Sequence, residues 1–242
     1  MVLEYSVFCN YISSHSLPTT TPLLSLEDSL IQIVAMEKLV SMCKYCPLKV
    51  INHGVPKKLV NDTKKVFEEF FDMPAEDKLS LHPEDPSRSC KLHKSNLNYH
   101  REAIHLWRDN LRHTCHPLED CLKHWPEKPN RYREVVGAYS TEAKKLGSII
   151  LKLIADGLGP ESGYFKNQLG ERLLSSINHY PPCPGPSFTL GLPKQCDPNL
   201  ITIHFQGDVS GLQIISNNKV KSEEHRAVRN SKEAGTSAAF SV

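Results

Sequence analysis

The sequence has no long apolar run and almost no excess of charge of either sign. No stretch of the 242 residues approaches roughly 18 uninterrupted apolar positions, and the first residues lack the basic and apolar regions of a signal peptide. Lys and Arg number 29 against 27 Asp and Glu, so the net charge of +2 indicates no surface for nucleic acid or anionic lipid. Gly-rich phosphate loops and the G-x-S-x-G motif of serine hydrolases are also absent. We therefore expect neither membrane nor nucleic-acid partners.

Eight cysteines are present, and without a secretory signal we expect them to be reduced thiols in a cytoplasmic protein. Cys43 and Cys46 have the spacing of half a zinc site, because two intervening residues let both sulfurs reach one tetrahedral ion. No second pair of this kind follows, and no spaced pair of histidines replaces it. The sequence therefore does not predict a structural zinc site.

Two segments have apolar residues at helical spacing. Between Lys57 and Asp72 the apolar residues recur three and four positions apart, with Lys and Glu on the other face and Pro74 beyond. A longer pattern begins at Tyr132 and ends at the stop signal of Gly157. The spacing predicts two amphipathic helices, the second of them packed against a sheet.

From about Leu173 onward the pattern changes to short β-type runs separated by turns rich in Pro, Gly and Asn. The clearest runs are Ser175–Tyr180, Leu200–Phe205 and Gly211–Ile215. Helices that come first and strands that come later predict an α+β fold, in which helices support one side of an antiparallel sheet or barrel. Alternating βαβ units are not expected.

Several recognisable motifs follow one another along the chain. They are Val50–Pro56, Phe70–Lys78, Asn178–Pro184, Gln195–Thr202, Gly211–Gln213, Lys221–Val228 and Thr236–Phe240. Through these motifs the chain resembles the plant 2-oxoglutarate and Fe(II)-dependent dioxygenases over roughly residues 50–240. Trp107–Asp109 and Trp125–Glu142 are similar to the branch of hyoscyamine 6-hydroxylase-like enzymes.

The resemblance implies a fold and a chemistry. It implies an irregular leader at 1–49, an N-terminal dioxygenase helical region at 50–172 and an incomplete double-stranded β-helix, or jelly-roll barrel, at 173–242. Members of the family oxidise a small metabolite, usually by hydroxylation, with Fe(II) and 2-oxoglutarate as cofactors. The iron is held by two His and one carboxylate on one face, which leaves the opposite face open. The implied partner is a small-molecule substrate.

The metal motif of the family is only partly present. The His-x-Asp pattern reads Gln195-Cys196-Asp197 here, so Asp197 matches the carboxylate ligand while Gln195 stands where the family has His. His225 matches the second His ligand. A neutral amide is a far weaker ligand for Fe(II) than an imidazole, so we expect metal affinity to fall severely.

The cosubstrate motif also departs from the family pattern. Arg-x-Ser reads Gly235-Thr236-Ser237, so only Ser237 matches, together with Tyr180 on the cosubstrate side. The family uses the Arg because a guanidinium binds a carboxylate with two parallel hydrogen bonds. We expect 2-oxoglutarate binding to weaken, with Lys232 or Arg229 as the available substitutes.

The segment of sequence between the two candidate ligands is short. Asp197 and His225 are separated by 28 positions, where the family has roughly fifty. We therefore expect about two strands of the family pattern to be missing after Gln213, and the convergence of Asp197 and His225 is a prediction. His204 and His179 are alternative ligands, although a polar residue on a strand is more often solvent-facing or hydrogen-bonded. His53 is expected to be structural.

Three interpretations remain open at this stage. The chain is an active dioxygenase, a non-catalytic homologue with a binding role, or the product of an aberrant splice form or gene model. The missing His, the missing Arg and the shortened barrel all favour impaired catalysis, so the sequence predicts no catalytic residues.

Overall fold

A computed structural model describes most of the chain. The described residues are 5–9, 23–25, 48–81, 88–94, 106–158, 172–185, 189–195, 197, 199–209, 211–215, 224–228 and 230–242. Helix α1 spans Lys57–Asp72, the short helix α2 spans Leu118–Leu122 and helix α3 spans Tyr132–Leu158, with a 3-10 turn at Glu76–Leu81. Both helices predicted from apolar spacing are confirmed. Within the described residues, no helix is long and apolar enough to cross a membrane.

The larger sheet contains eight of the described strands. They are β1 (Tyr5–Cys9), β2 (Leu23–Ser25), β3 (Leu48–Ile51), β4 (Lys91–Lys94), β5 (Asp109–Thr114), β6 (Leu174–Tyr180), β8 (Ile201–Gln206) and β11 (Gly235–Ser241). Their order across the sheet is β2-β3-β1-β8-β11-β6-β5-β4. Every pair is antiparallel except β2 with β3.

A smaller antiparallel sheet has the order β7-β10-β9. It consists of β7 (Leu192–Gln195), β9 (Leu212–Ile215) and β10 (Glu224–Ala227). The predicted strands at Ser175–Tyr180, Leu200–Phe205 and Gly211–Ile215 therefore all form, as β6, β8 and β9. Two mainly antiparallel sheets supported by helices confirm the α+β fold and the incomplete jelly-roll barrel.

Strand β8 shows why the large sheet separates a core from a cavity. Ile201, Ile203 and Phe205 alternate along it with Thr202, His204 and Gln206, and all but Gln206 are buried. Successive side chains on a strand point to opposite faces. The apolar set packs in the hydrophobic core, while the polar set lines a cavity on the other face.

Aromatic side chains join the helices to the large sheet. The ring of Phe67 on α1 stacks on that of Phe205 at 6.2 Å, and Tyr139 on α3 meets Phe205 at 5.3 Å and Phe240 at 5.0 Å between ring centroids. Phe67 also contacts Tyr132 at 6.1 Å. The helical region and the barrel therefore share one hydrophobic core.

Part of the expected leader belongs to the large sheet. Strands β1 and β2 both lie within 1–49, and β1 pairs antiparallel with β8, Ser6 opposite His204 and Cys9 opposite Ile201. The same strand pairs on its other side with β3. Cys43 and Cys46 lie outside the described residues.

Candidate functional site

The polar face of the large sheet and the small sheet enclose a cavity of about 340 Å³. Strands β5, β6, β8 and β11 supply one wall, and β7, β9 and β10 supply the other. The wall of the large sheet is lined mainly by Arg, Asn, Ser, Thr, Tyr and His side chains, at alternate positions of each strand. All four residues that sequence analysis selected, Tyr180, Asp197, His225 and Ser237, line this cavity.

Asp197 and His225 lie close together in space, although 28 positions separate them in the sequence. Their Oδ1 and Nε2 atoms are 3.6 Å apart, and His225 is 5% exposed. Strands β7 and β10 are neighbours, with Gln195 directly opposite His225. Asp197 follows two residues after Gln195, so local pairing of two strands is enough to bring a carboxylate and an imidazole to one end of the cavity.

Gln195 stands at the position where the family resemblance implies another His ligand. Its side chain lines the cavity, and it is exposed and uncharged. Among the described residues no cluster of three or more His, Cys, Asp or Glu side chains is arranged to hold a metal ion. The donor set therefore does not complete the face of two His and one carboxylate that non-haem Fe(II) requires.

His204 lines the same cavity. It is 9% exposed, and burial together with the nearby His225 lowers its pKa from 6.5 to about 4. Alternation along β8 places the side chain inside the barrel, in contrast to the solvent-facing position expected of a polar strand residue. It does not complete a three-ligand cluster with Asp197 and His225 in the described residues.

The other two candidate histidines have structural contacts. His179 stacks on Phe71 with ring centroids 4.7 Å apart, and its Nδ1 shares a hydrogen bond of 3.0 Å with the hydroxyl of Thr236. The backbone N–H of Val55 donates to Nδ1 of His53 at 3.1 Å. Neither His179 nor His53 lines the cavity, although Thr236 does, and the contact of His53 agrees with its expected structural role.

Tyr180 and Ser237, the residues expected to bind the cosubstrate, lie on neighbouring strands. Tyr180 is opposite Gly235, and Ser237 is opposite Asn178, in the pairing of β6 with β11. Ser237 hydrogen-bonds Tyr180, whose pKa is raised mainly by burial. Gly235 leaves its position on the cavity wall without a side chain.

Lys232, one of the two substitutes considered for the missing Arg, is not placed at this wall. Lys232 is exposed, lies outside the cavity lining, and its backbone N–H donates to Asn230 at 2.8 Å. Arg229 lies outside the described residues.

Sequence analysis missed the contribution of β5 and the residue before it. Arg108, Asn110 and Arg112 alternate along this segment, and all three line the cavity. Arg108 donates from Nη1 to the side-chain oxygen of Asn178 at 2.8 Å, and it also hydrogen-bonds Tyr180. The signal was present as polar residues at every second position, but β5 lies far from the recognised site motifs in the sequence.

Comparison with known proteins agrees with this architecture. Residues 24–132 match the family described as non-haem dioxygenase in morphine synthesis N-terminal, and residues 172–224 match the 2OG-Fe(II) oxygenase superfamily. The chain is 43% identical over 174 residues to hyoscyamine 6-dioxygenase of Hyoscyamus niger, which covers 68% of this chain and 50% of that protein. The chain spans about half the length of several curated relatives that it matches.

A longer match is with Protein DMR6-LIKE OXYGENASE 1 of Arabidopsis thaliana, 36% identical over 239 residues, 86% of this chain and 68% of that protein. Among solved structures, a complex of JOX2 with 2OG, Fe and JA has a TM-score of 0.76 and 25% identity, covering 96% of this chain and 80% of that one. Matching motifs, fold and cavity place the chain in one group: it belongs to the plant 2-oxoglutarate and Fe(II)-dependent dioxygenase family.

Proposed function

We propose that this chain is a catalytically impaired member of its family that binds a small molecule in the barrel cavity without sustained oxidation of it. The observation that carries the proposal is the pairing of Gln195 with His225. It puts a neutral amide at the position where a second imidazole would complete the metal site.

The argument rests on the strength of the ligands. Asp197 and His225 are 3.6 Å apart, close enough for one cation to contact both side chains after small adjustments. Imidazole nitrogen suits iron of intermediate softness, whereas an amide oxygen carries no charge and donates weakly. Two good ligands and one weak ligand support transient metal binding and do not support a resident iron centre. No oxidation step is therefore assigned to this site.

The cavity itself supports a binding role. Its volume of about 340 Å³ falls within the range of roughly 300–1,000 Å³ typical of small-molecule sites. Its walls combine apolar side chains such as Leu192 and Leu212 with the polar rows of the large sheet. Such a lining suits a small organic ligand that carries a few polar groups.

The test measures turnover and metal binding separately. Purified chain is incubated with Fe(II), ascorbate and 2-oxoglutarate, and succinate is quantified against an Asp197→Ala variant. We expect equal, background amounts of succinate from both proteins. Affinity for Mn(II), a redox-inert substitute for Fe(II), is measured by titration for the wild type and for Gln195→His. We expect the variant to bind at least about 10-fold more tightly, because even outer-shell ligand partners are worth 10- to 100-fold in affinity.

A matched control places the same new side chain one position away. Lys194→His adds an imidazole to β7 at a position that does not line the cavity, so Mn(II) affinity should stay at the wild-type value. Succinate release by the wild type well above that of Asp197→Ala would contradict impaired catalysis. Equal Mn(II) affinity of Gln195→His and the wild type would contradict the assignment of Gln195 as the deficient ligand.

A second function, oxidation of a small plant metabolite as in the family, is favoured by one observation. Asp197 and His225 meet despite the short sequence between them. The succinate assay decides between the two functions, because only this second function requires 2-oxoglutarate to be consumed.

A further inference from the structure

Three strands of the large sheet carry a row of residues across one end of the cavity. Tyr180 on β6 pairs with Gly235 on β11, and on the other side of β6 the register of β5 brings Arg108 level with Tyr180, since Asp109 pairs with His179. Arg108, Tyr180 and Gly235 all line the cavity. The row therefore has a guanidinium on one side of Tyr180 and an empty glycine position on the other.

The guanidinium of Arg108 already reaches over the middle strand. Its Nη1 donates to Asn178 at 2.8 Å, and its side chain hydrogen-bonds Tyr180. Tyr180 is hydrogen-bonded from the opposite side by Ser237. Arg108 and Ser237 are thus connected through one phenol, although they lie on different strands.

Neighbouring contacts fix Arg108 in this position. The backbone N–H of Trp107 donates to the carbonyl of Leu190 at 2.8 Å, and the indole N–H of Trp107 donates to the carbonyl of Pro182. On the other side, Asn110 donates to the same oxygen of Asn178 that receives Arg108, at 2.9 Å. The hydrogen bonds of Trp107 and Asn110 therefore hold the segment that carries Arg108 at the cavity wall.

The cavity is lined by charged side chains of both signs. Within the described lining the charged side chains are Arg108 and Arg112 on the large sheet and Asp197 beside His225. The Arg108 guanidinium hydrogen-bonds the amide of Asn178 and the phenol of Tyr180, and Tyr180 also hydrogen-bonds the hydroxyl of Ser237. A guanidinium beside an amide, a phenol and a hydroxyl suits a carboxylate, which accepts two parallel N–H donors.

We propose that Arg108 supplies the guanidinium that β11 lacks at Gly235, so that this cavity binds the carboxylate of a small organic acid between Arg108, Tyr180 and Ser237. The proposal deepens the proposed function, since it names the class of ligand for the same cavity. It assigns a binding role to Arg108, the residue that precedes β5. The family resemblance instead places the carboxylate-binding Arg in the motif of β11.

The test measures binding without metal, so it does not depend on turnover. Calorimetric titration of the chain in EDTA uses 2-oxoglutarate as the charged probe and dimethyl 2-oxoglutarate as its uncharged analogue. We expect the wild type to bind the acid and not the diester. Arg108→Gln should weaken binding of the acid by about 10- to 100-fold, the value of a hydrogen bond to a charged group.

Arg112→Gln is the matched control, because Arg112 lies four residues further along the same face and pairs with Ser176. It should change the affinity by less than about 3-fold. Arg108→Lys keeps the charge but loses the planar fork, and we expect an intermediate affinity. Should Arg108→Gln fail to fold, the wild-type comparison of acid with diester and the lysine variant still decide the matter.

Three results would overturn the proposal: no binding of 2-oxoglutarate to the wild type, equal binding of acid and diester, or unchanged affinity in Arg108→Gln. None of them bears on impaired catalysis, which is decided by succinate release. Conversely, turnover by the wild type would refute impaired catalysis and leave the role of Arg108 to the calorimetric result.

Discussion

Buried His113 makes the stability of this fold sensitive to acid. The side chain lies on the core side of β5, completely buried, with its Nε2 2.9 Å from the hydroxyl of Tyr132 and its ring 4.4 Å from that of Trp125. The hydroxyl of Ser175 lies 3.1 Å from Nδ1. Burial lowers the pKa of His113 from 6.5 to about 3, so the imidazole stays neutral in the folded chain over most of the acidic range.

The sign and size of the effect follow from proton linkage. Below pH 6.5 the unfolded chain binds a proton at His113 and the folded chain does not, so the free energy of unfolding falls as the pH falls. One full proton corresponds to about 1.4 kcal/mol per pH unit, and partial protonation near pH 6 reduces this to about 1.2 kcal/mol between pH 6 and pH 5. The loss continues until the pH approaches the folded pKa near 3.

Urea denaturation at a series of pH values measures this slope. His113→Gln removes the titrating group, so between pH 6 and pH 5 we expect the variant to lose about 1.2 kcal/mol less than the wild type. Tyr132→Phe is the control: it removes one hydrogen-bonding partner and lowers stability by about 1 kcal/mol, yet keeps the wild-type slope. Equal slopes for His113→Gln and the wild type would refute the assignment of a neutral buried imidazole.

Two further substitutions test the packing around the site, each by urea denaturation at neutral pH. Phe67→Ala removes a fully buried ring that stacks on Phe205, and we expect a loss of about 3–5 kcal/mol in one cooperative transition; two separate transitions would contradict a core shared by helices and barrel. Gly191→Ala places a Cβ 2.9 Å from the carbonyl of Ala227 and 3.0 Å from the ring of Tyr180, and we expect a loss of about 1–3 kcal/mol. An unchanged midpoint for Gly191→Ala would show that the cavity wall adjusts freely.

The predictable part of the fold is the part with strong local periodicity. Helices α1 and α3 and strands β6, β8 and β9 are all recognisable, because each buries one face and the spacing of its apolar residues records which face that is. Strands β1 and β2 were not recognised. Their place in the sheet depends on pairing with β8 and β3, which are remote in sequence, and local spacing does not record such partners.

In the candidate site, too, some residues can be recognised from the sequence and others cannot. Tyr180, Asp197, His225 and Ser237 lie in motifs that resemble those of a known family, and the structure gathers all four around one cavity. Arg108 could not be assigned to the site from its motif, because its relation to Tyr180 arises only from the pairing of β5 with β6. Sequence analysis can identify residues that lie in a family motif. Identifying a side chain that is proposed to replace one on another strand requires the register of the sheet.

The geometry also separates two features that sequence analysis took together as grounds for expecting impaired catalysis. A short segment between the ligands predicts that Asp197 and His225 could lie apart, yet β7 and β10 pair directly and the two side chains are 3.6 Å from each other. The strands that carry the ligands are neighbours, so the short connection does not disturb their pairing. Beside Asp197 and His225, the remaining difference from the family's metal motif is the chemical identity of one side chain, Gln195. For this reason Mn(II) affinity should respond to Gln195→His alone, even if turnover also needs further parts of the barrel.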